Sequence, residues 1–390
     1  MNKSIIAQAK ASTIRVAIIQ PILAPYRRPL FKRLATHAEI KLKVFALASN
    51  FEYRRGWNIS QSEDFDIEVV ESIQRPATVR SNTGFSIRGV RMISPKLAWS
   101  VASFRPDVVI CTNISEYVAL LPLKVLHPCV IGAWVEDTKY TASHYRTPRR
   151  WLRAFLYRHM QFFLFNGEAS RKYLVQAGVK SKNMVPAMCS VDNSLYTTPC
   201  RRREYTEGSR AQWITVGALV ARKGFAQLLN AWAAQSSDFL ERNTLLIVGE
   251  GDEEQQLRKL VDNMPAGTVS LTGFRSPEEL VAFYAESDVF IFPTLLDIWG
   301  LTVNEAMASG LPVICSQYAG CSADLVSDAN GVVVDPLDPD SFAKAIHDFW
   351  MIRDHWPAMG EASKRTISKY TLDATADAIV RVSRAATHNK

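Results

Sequence analysis

Twice along this chain, short apolar β-branched runs alternate with segments of helical period, and that repetition leaves few architectures open. In the first half, Ile14–Gln20, Ile40–Ala46, 107–111, 129–134 and 162–165 read as strands. Residues 29–35, 96–104, 115–126, 148–160 and 168–176 read as the helices between them. A second round has strands at 213–216, 245–248, 269–272, Val289–Phe292, 312–315 and 332–334. Its helices are expected at Phe225–Ala233, 253–261, Pro277–Ala285, 302–308 and 341–349. Strands separated by helices must run parallel, so each round predicts a doubly wound α/β domain. The polar, basic stretch 196–209 between the rounds predicts a linker. The expected division is therefore 1–200, 210–370 and a terminal segment, 371–390. That last segment carries an amphipathic helix, 371–383, able to cross back to the first domain.

Composition removes several alternatives. The chain has 390 residues, enough for two domains with cores of their own. No run approaches the roughly 20 apolar residues needed to span a bilayer. Met1 to Thr13 lacks a signal-peptide core and reads as a frayed tail. The six cysteines, Cys111, Cys129, Cys189, Cys200, Cys315 and Cys321, show no C-x-x-C spacing, which predicts free thiols and a cytoplasmic home. The net charge of +8 asks for an anionic partner. Arginines crowd the first half, at Arg27, Arg28, Arg33, Arg54, Arg55, Arg146, Arg149, Arg150, Arg153 and Arg158. No helix-turn-helix, zinc-finger or RNP signature accompanies them, so nucleic acid is not the expected partner.

Ligands of open parallel sheets bind beyond the carboxyl ends of the strands. One such end carries a dense pattern, Pro293-Thr294-Leu295-Leu296-Asp297-Ile298-Trp299-Gly300-Leu301-Thr302-Val303-Asn304-Glu305, followed by Gly310-Leu311-Pro312. Gly300 permits close approach at a helix start, where the amides of Leu301, Thr302 and Val303 are ready for a diphosphate. Glu305, one turn into that helix, and Asp297, eight positions before it, supply carboxylates that can grip hydroxyls. A second strand end reads Val216-Gly217-Ala218-Leu219-Val220-Ala221-Arg222-Lys223-Gly224. Its Lys223 can neutralise charge on a departing diphosphate. Gly249 follows a third strand, and Phe274 with Arg275 follows a fourth.

The segment from Asp297 to Glu305 resembles the E-x(7)-E signature of family 4 glycosyltransferases, with Asp297 at the first Glu position. The likeness is dense from about Ala211 to Phe349. It implies a GT-B fold, two doubly wound Rossmann-like domains facing a cleft, and retaining transfer of a hexose-type sugar from a nucleotide diphosphate donor. Under it, Asp297 contacts the transferred sugar, Glu305 holds the ribose, and the helix start binds the diphosphate. Lys223 matches the phosphate-binding lysine of that family, while Ala218 stands where it commonly has arginine; Arg222 is the substitute at hand. Gly217, Gly249, Phe274 and Arg275 complete the expected donor side. The donor, UDP- or GDP-linked, enters as a substrate and no cofactor is expected. No D-x-D pair suits a divalent metal, so metal independence is expected as well.

The first domain is expected to hold the acceptor, a lipid-linked or polysaccharide glycan. Gln20, Asn113, Trp134, Glu136, Asp137 and Asn166 sit at or past its strand ends, and Arg27 follows its first strand. The histidine that many family members place near the fifth strand is missing from Gly132-Ala133-Trp134-Val135-Glu136-Asp137. The arginines and aromatics of 148–158 suit an anionic membrane surface as well as a packed cytosolic helix. Two other readings remain at this point: a nucleotide-sugar epimerase on the same fold, and a non-catalytic nucleotide-sugar binding protein.

Overall fold

The computed structural model describes residues 13–50, 59, 63–80, 86–142, 147–197 and 210–388. The N-terminal tail before residue 13, most of the expected linker (198–209), Arg54, Arg55, Arg146 and Cys200 lie outside them. In chain order the strands of the first half are β1 (Ile14–Gln20), β2 (Ile40–Ala46), β3 (Ile67–Val69), β4 (Ile73–Arg80), β5 (Ser86–Ile93), β6 (Val108–Cys111), β7 (Val130–Val135), β8 (Phe163–Phe165) and β9 (Met184–Pro186). Those of the second half are β10 (Ala211–Val216), β11 (Asn243–Val248), β12 (Val269–Leu271), β13 (Val289–Phe292), β14 (Val313–Ser316) and β15 (Gly331–Val334).

The strands form two parallel sheets, ordered β3-β2-β1-β6-β7-β8-β9 and β12-β11-β10-β13-β14-β15, with β4 and β5 as a separate antiparallel hairpin. Both sheets carry helices on both faces, so their central strands are buried on both sides and read as unbroken apolar runs. Each sheet reverses its winding once, between β1 and β6 and between β10 and β13. These switch points open the crevices into which ligands of such sheets settle.

The terminal helix, Leu372–His388, does cross back. Leu372, Ile379 and Val382 join the core beneath β1 and the helix Arg28–Thr36. Arg33 pairs with Asp373, and Arg384 donates from Nε to Glu39 Oε2 at 3.0 Å. The chain before the linker makes the opposite exchange: Cys189 and Tyr196 belong to the core of the second sheet, and Tyr196 meets Tyr284 edge-on, ring centroids 5.9 Å apart. Tyr196 is thus a packed residue, not the linker residue expected.

Two other expectations need correction. The helix expected over 115–126 is two, Ile114–Ala119 and Leu123–Leu126, because Pro122 offers no amide to continue the first. The β4–β5 hairpin was not foreseen: Ile73–Arg80 and Ser86–Ile93 are too rich in arginine to show strand alternation. The five described cysteines are free thiols.

Candidate functional site

The second sheet's switch point brings two loops together: residues 217–224, leaving β10, and residues 293–300, leaving β13. Gly224 adopts φ +72°, and a methyl there would lie 2.0 Å from the Pro293 carbonyl oxygen, so only glycine lets the loops meet. The Arg222 carbonyl accepts from the Leu295 amide at 2.8 Å and from Thr294 Oγ1 at 3.1 Å, tying them together.

That junction delivers Lys223 to Asp297. Lys223 Nζ donates to Asp297 Oδ2 at 2.6 Å, and Arg222 Nη1 stands 3.6 Å from the same oxygen while donating to the Leu296 carbonyl at 3.1 Å. Burial alone would raise the Asp297 pKa; the Lys223 and Arg222 charges outweigh it and bring it down to about 2. Asp297 is therefore a fixed carboxylate, held one methylene back from where a glutamate would reach.

Gly300 adopts φ +115°, and a methyl there would lie 2.6 Å from Phe292 Cε1. Lys223 Nζ sits 5.0 Å from the centroid of that same ring. The lysine and the helix start therefore share one neighbour. The helix Leu301–Ala308 begins there, and the Leu301 and Thr302 amides are among those a helix cannot satisfy internally. Thr302 Oγ1 is buried with no partner. The Val303 amide corrects the expectation: it donates to the Gly300 carbonyl at 2.9 Å instead of facing outward.

Glu305 lies one turn further in. Tyr284 donates its hydroxyl to Glu305 Oε2 at 2.9 Å, and the Tyr196 hydroxyl also bonds this carboxyl. Burial raises its pKa to about 7 against the pull of those hydroxyls. Tyr284 is not among the residues singled out from the sequence. Its signal was a hydroxyl-bearing aromatic on the apolar side of Pro277–Ala285, which needs a buried partner. Gly217 and Gly249 border the same crevice at the ends of β10 and β11. Phe274 is exposed at the end of β12, and Arg275 donates to the Phe274 carbonyl at 3.2 Å.

The first domain separates its candidates into two groups. Arg27, Glu136 and Trp134 form one cluster: buried Arg27 pairs with Glu136 and lies over the Trp134 ring, 3.9 Å from its centroid. Burial opposes the Arg27 charge most strongly, but Glu136, Cys189 and Tyr26 together outweigh it and raise the pKa. Gln20, Trp134 and Asn166 each bury one side-chain N–H group without a partner, at Nε2, Nε1 and Nδ2. The β1–β6–β7 register aligns Gln20 with Trp134, and strand alternation sets Asn166 and Glu136 on that same side. Asn113 and Asp137 serve locally instead. Asn113 caps Ile114–Ala119 in a capping box with Glu116, whose pKa burial raises to about 7, and Asp137 pairs with Arg153. Among the described residues, no group of three His, Cys, Asp or Glu side chains could hold a metal ion.

Comparison with known proteins sets the chain beside glycosyltransferases. The model of the family described as Glycosyl transferases group 1 matches residues 201–366, the domain holding the Lys223–Asp297 junction, and the likeness to family 4 glycosyltransferases stands. The sulfoquinovosyl transferase of Arabidopsis thaliana is 26% identical over 295 residues, covering 71% of this chain and 56% of that protein. A GDP-mannose-dependent phosphatidylinositol monomannoside mannosyltransferase of Mycobacterium tuberculosis is 33% identical over 175 residues, covering 43% of this chain and 45% of the relative. The chain thus spans about half the length of these curated relatives. Among solved structures, Anabaena HepE in complex with UDP superposes with a TM-score of 0.75 at 15% identity, covering 96% of this chain and all (100%) of that one. The sucrose-phosphate synthase of Thermosynechococcus elongatus gives 0.74 at 17% identity, covering 97% and 100%. The fold is the GT-B arrangement expected.

Proposed function

We propose that this chain is a retaining, metal-independent glycosyltransferase, carrying a hexose-type sugar from a UDP- or GDP-linked donor to a lipid-linked or polysaccharide glycan. One observation carries the reading: Lys223 and the open helix start at Gly300 converge at the switch point, with Asp297 between them. A diphosphate entering there offers Lys223 a partner of higher charge than Asp297. Asp297 is then released to the sugar hydroxyls, while the Leu301 and Thr302 amides meet the phosphate oxygens. As the bond from the anomeric carbon to the diphosphate oxygen breaks, these groups stabilise the charge left behind, and the acceptor hydroxyl forms the new bond to that carbon while its proton passes to the departing diphosphate oxygen. Glu305, steadied by two tyrosines, faces the ribose. The relatives described above are transferases by name, which favours transfer over epimerisation or mere binding.

The acceptor would lie against Gln20, Trp134, Glu136 and Asn166. A membrane-embedded acceptor suits the outer helical layer of the first domain. Trp99, Val125, Leu126, Trp151, Leu152 and Phe155 each expose more than half of their surface there. Exposed Lys124, Arg149, Arg150 and Arg158 lie among them. The contact proposed is peripheral, on the cytoplasmic side; no described helix is long and apolar enough to cross a membrane.

The test is incubation with UDP- and GDP-sugars and a lipid-linked glycan, with the product's anomeric configuration read by NMR. The reading requires a new glycosidic bond of the donor's configuration, unaffected by EDTA. Isomerised free donor, an inverted product, or activity lost in EDTA and restored by magnesium would each contradict it.

A further inference from the structure

The two domains touch through the donor loop itself, at a place the chemistry above does not use. Gly167 opens the helix Gly167–Gln176 of the first domain with φ +83°. A methyl there would lie 2.5 Å from Trp299 Cζ3 and 2.7 Å from Asp324 Oδ2, both in the second domain. The Asp324 carboxylate accepts the next amide of that helix, from Glu168, at 3.0 Å to Oδ2 and 3.2 Å to Oδ1. A carboxylate at a helix start satisfies an amide the helix cannot and meets the positive end of its dipole. Here the cap comes from the opposite domain. Glu168, which could have occupied that position, is turned aside by Arg171, whose Nε donates to it at 2.6 Å.

The second-domain side of this contact is continuous with the donor site. The Trp299 amide approaches Asp297 Oδ1 at 3.4 Å, and Trp299 Nε1 donates to Asn304 Oδ1 at 2.9 Å. Asn304 in turn reaches the Cys189 carbonyl at 3.4 Å, on the crossing segment. The Trp299 carbonyl accepts from Cys321, and Tyr370 holds the Asp324 carbonyl at 3.1 Å. Separating the domains therefore pulls on the loop that sets Asp297 and Gly300.

We propose that Gly167, the Glu168 amide and Asp324 form a latch that holds the domains closed on the donor loop, with Asp324 a positioning residue for transfer. The latch rests on geometry alone; only its kinetic consequence rests on the transfer reading. Closure matters because water admitted to the cleft competes for the donor.

The test combines small-angle scattering, calorimetric titration of UDP and GDP, and steady-state transfer kinetics on the full chain with Asp324→Ala, Asp324→Asn and Gly167→Ala. Asp324→Ala should enlarge the radius of gyration and lower kcat about tenfold to a hundredfold. Its affinity for nucleoside diphosphate should stay within about twofold, since that ligand meets second-domain groups only. Asp324→Asn, which keeps one acceptor oxygen, should recover part of kcat. Gly167→Ala, made on the other side and substituting no donor-site residue, should reproduce the expansion if Asp324→Ala does not fold. A scattering profile unchanged in Gly167→Ala and in the folded Asp324 variants would overturn the latch. Expansion without any nucleotide binding by the wild type would keep the latch and sink the transfer reading.

Discussion

At the residue scale the account turns on two carboxyl groups in one loop-and-helix unit, driven in opposite directions. Asp297 is held ionised by Lys223 and Arg222, whereas burial raises Glu305 to about 7. The consequences for Glu305 have definite signs. Its folded value lies above the ordinary 4.5, so the folded chain binds this proton more tightly than the unfolded one. The stability it contributes is full below that ordinary value and is lost as pH rises through about 7. Under the proposed ribose contact, its hold on hydroxyls as an acceptor runs the other way and strengthens as the carboxylate forms. Donor KM should thus fall by up to about tenfold from about pH 6 to about pH 8. Glu305→Gln should flatten that profile, and a profile unchanged by the substitution would remove Glu305 from the ribose site. At this scale Lys223, Asp297, Gly300 and Glu305 were legible because each stands at a fixed offset from a strand end. Trp299, Asn304, Tyr196 and Asp324 were not, since their roles depend on partners a hundred or more residues away or in the other domain.

At the element scale, the strands and helices expected in the second half lie within a residue or two of their observed bounds, because short loops separate strongly periodic segments, but the helices Ser237–Arg242, Ser322–Leu325 and Trp356–Ile367 were not foreseen. The hairpin β4–β5 and the three-residue β3 and β9 escaped, being too short or too charged to show a period. The crossing helix is an element whose purpose only the fold reveals. Its Leu372, Ile379, Val380 and Val382 are buried in a core whose other residues all lie more than 180 positions earlier, apart from the helix's own Ala376 and Ala378. Burial of each such side chain contributes about 1.5–3 kcal/mol. Removing residues 372–390 should therefore cost the first domain several kcal/mol, a large part of the roughly 5–15 kcal/mol a domain possesses. Calorimetry should then show the first domain's transition lowered or lost and the second's retained. Equal lowering of both transitions would contradict this assignment of the helix.

At the scale of the whole molecule, charge and exposed apolar surface are distributed unequally. The exposed aromatics and arginines gathered on the outer helices of the first domain predict sedimentation with vesicles containing anionic phosphatidylglycerol, weakened by salt and absent with neutral phosphatidylcholine. Trp151→Glu with Phe155→Glu should abolish it while leaving nucleotide binding intact; equal sedimentation with both vesicle types would count against an electrostatic contact. The sequence could point to that helix but not to its neighbours, because only the fold sets Leu97–Phe104, Leu123–Leu126 and Thr147–Tyr157 against one core on the same side of the sheet. The central claim, a diphosphate site made where two loops meet at a sheet's switch point, is most directly tested by calorimetric titration of UDP and GDP into the wild type and Lys223→Ala. The account predicts that at least one nucleotide binds the wild type and that the alanine variant, still folded, binds it about ten to a hundred times more weakly. Equal affinity in the two proteins, or no binding of either nucleotide to the wild type, would contradict it.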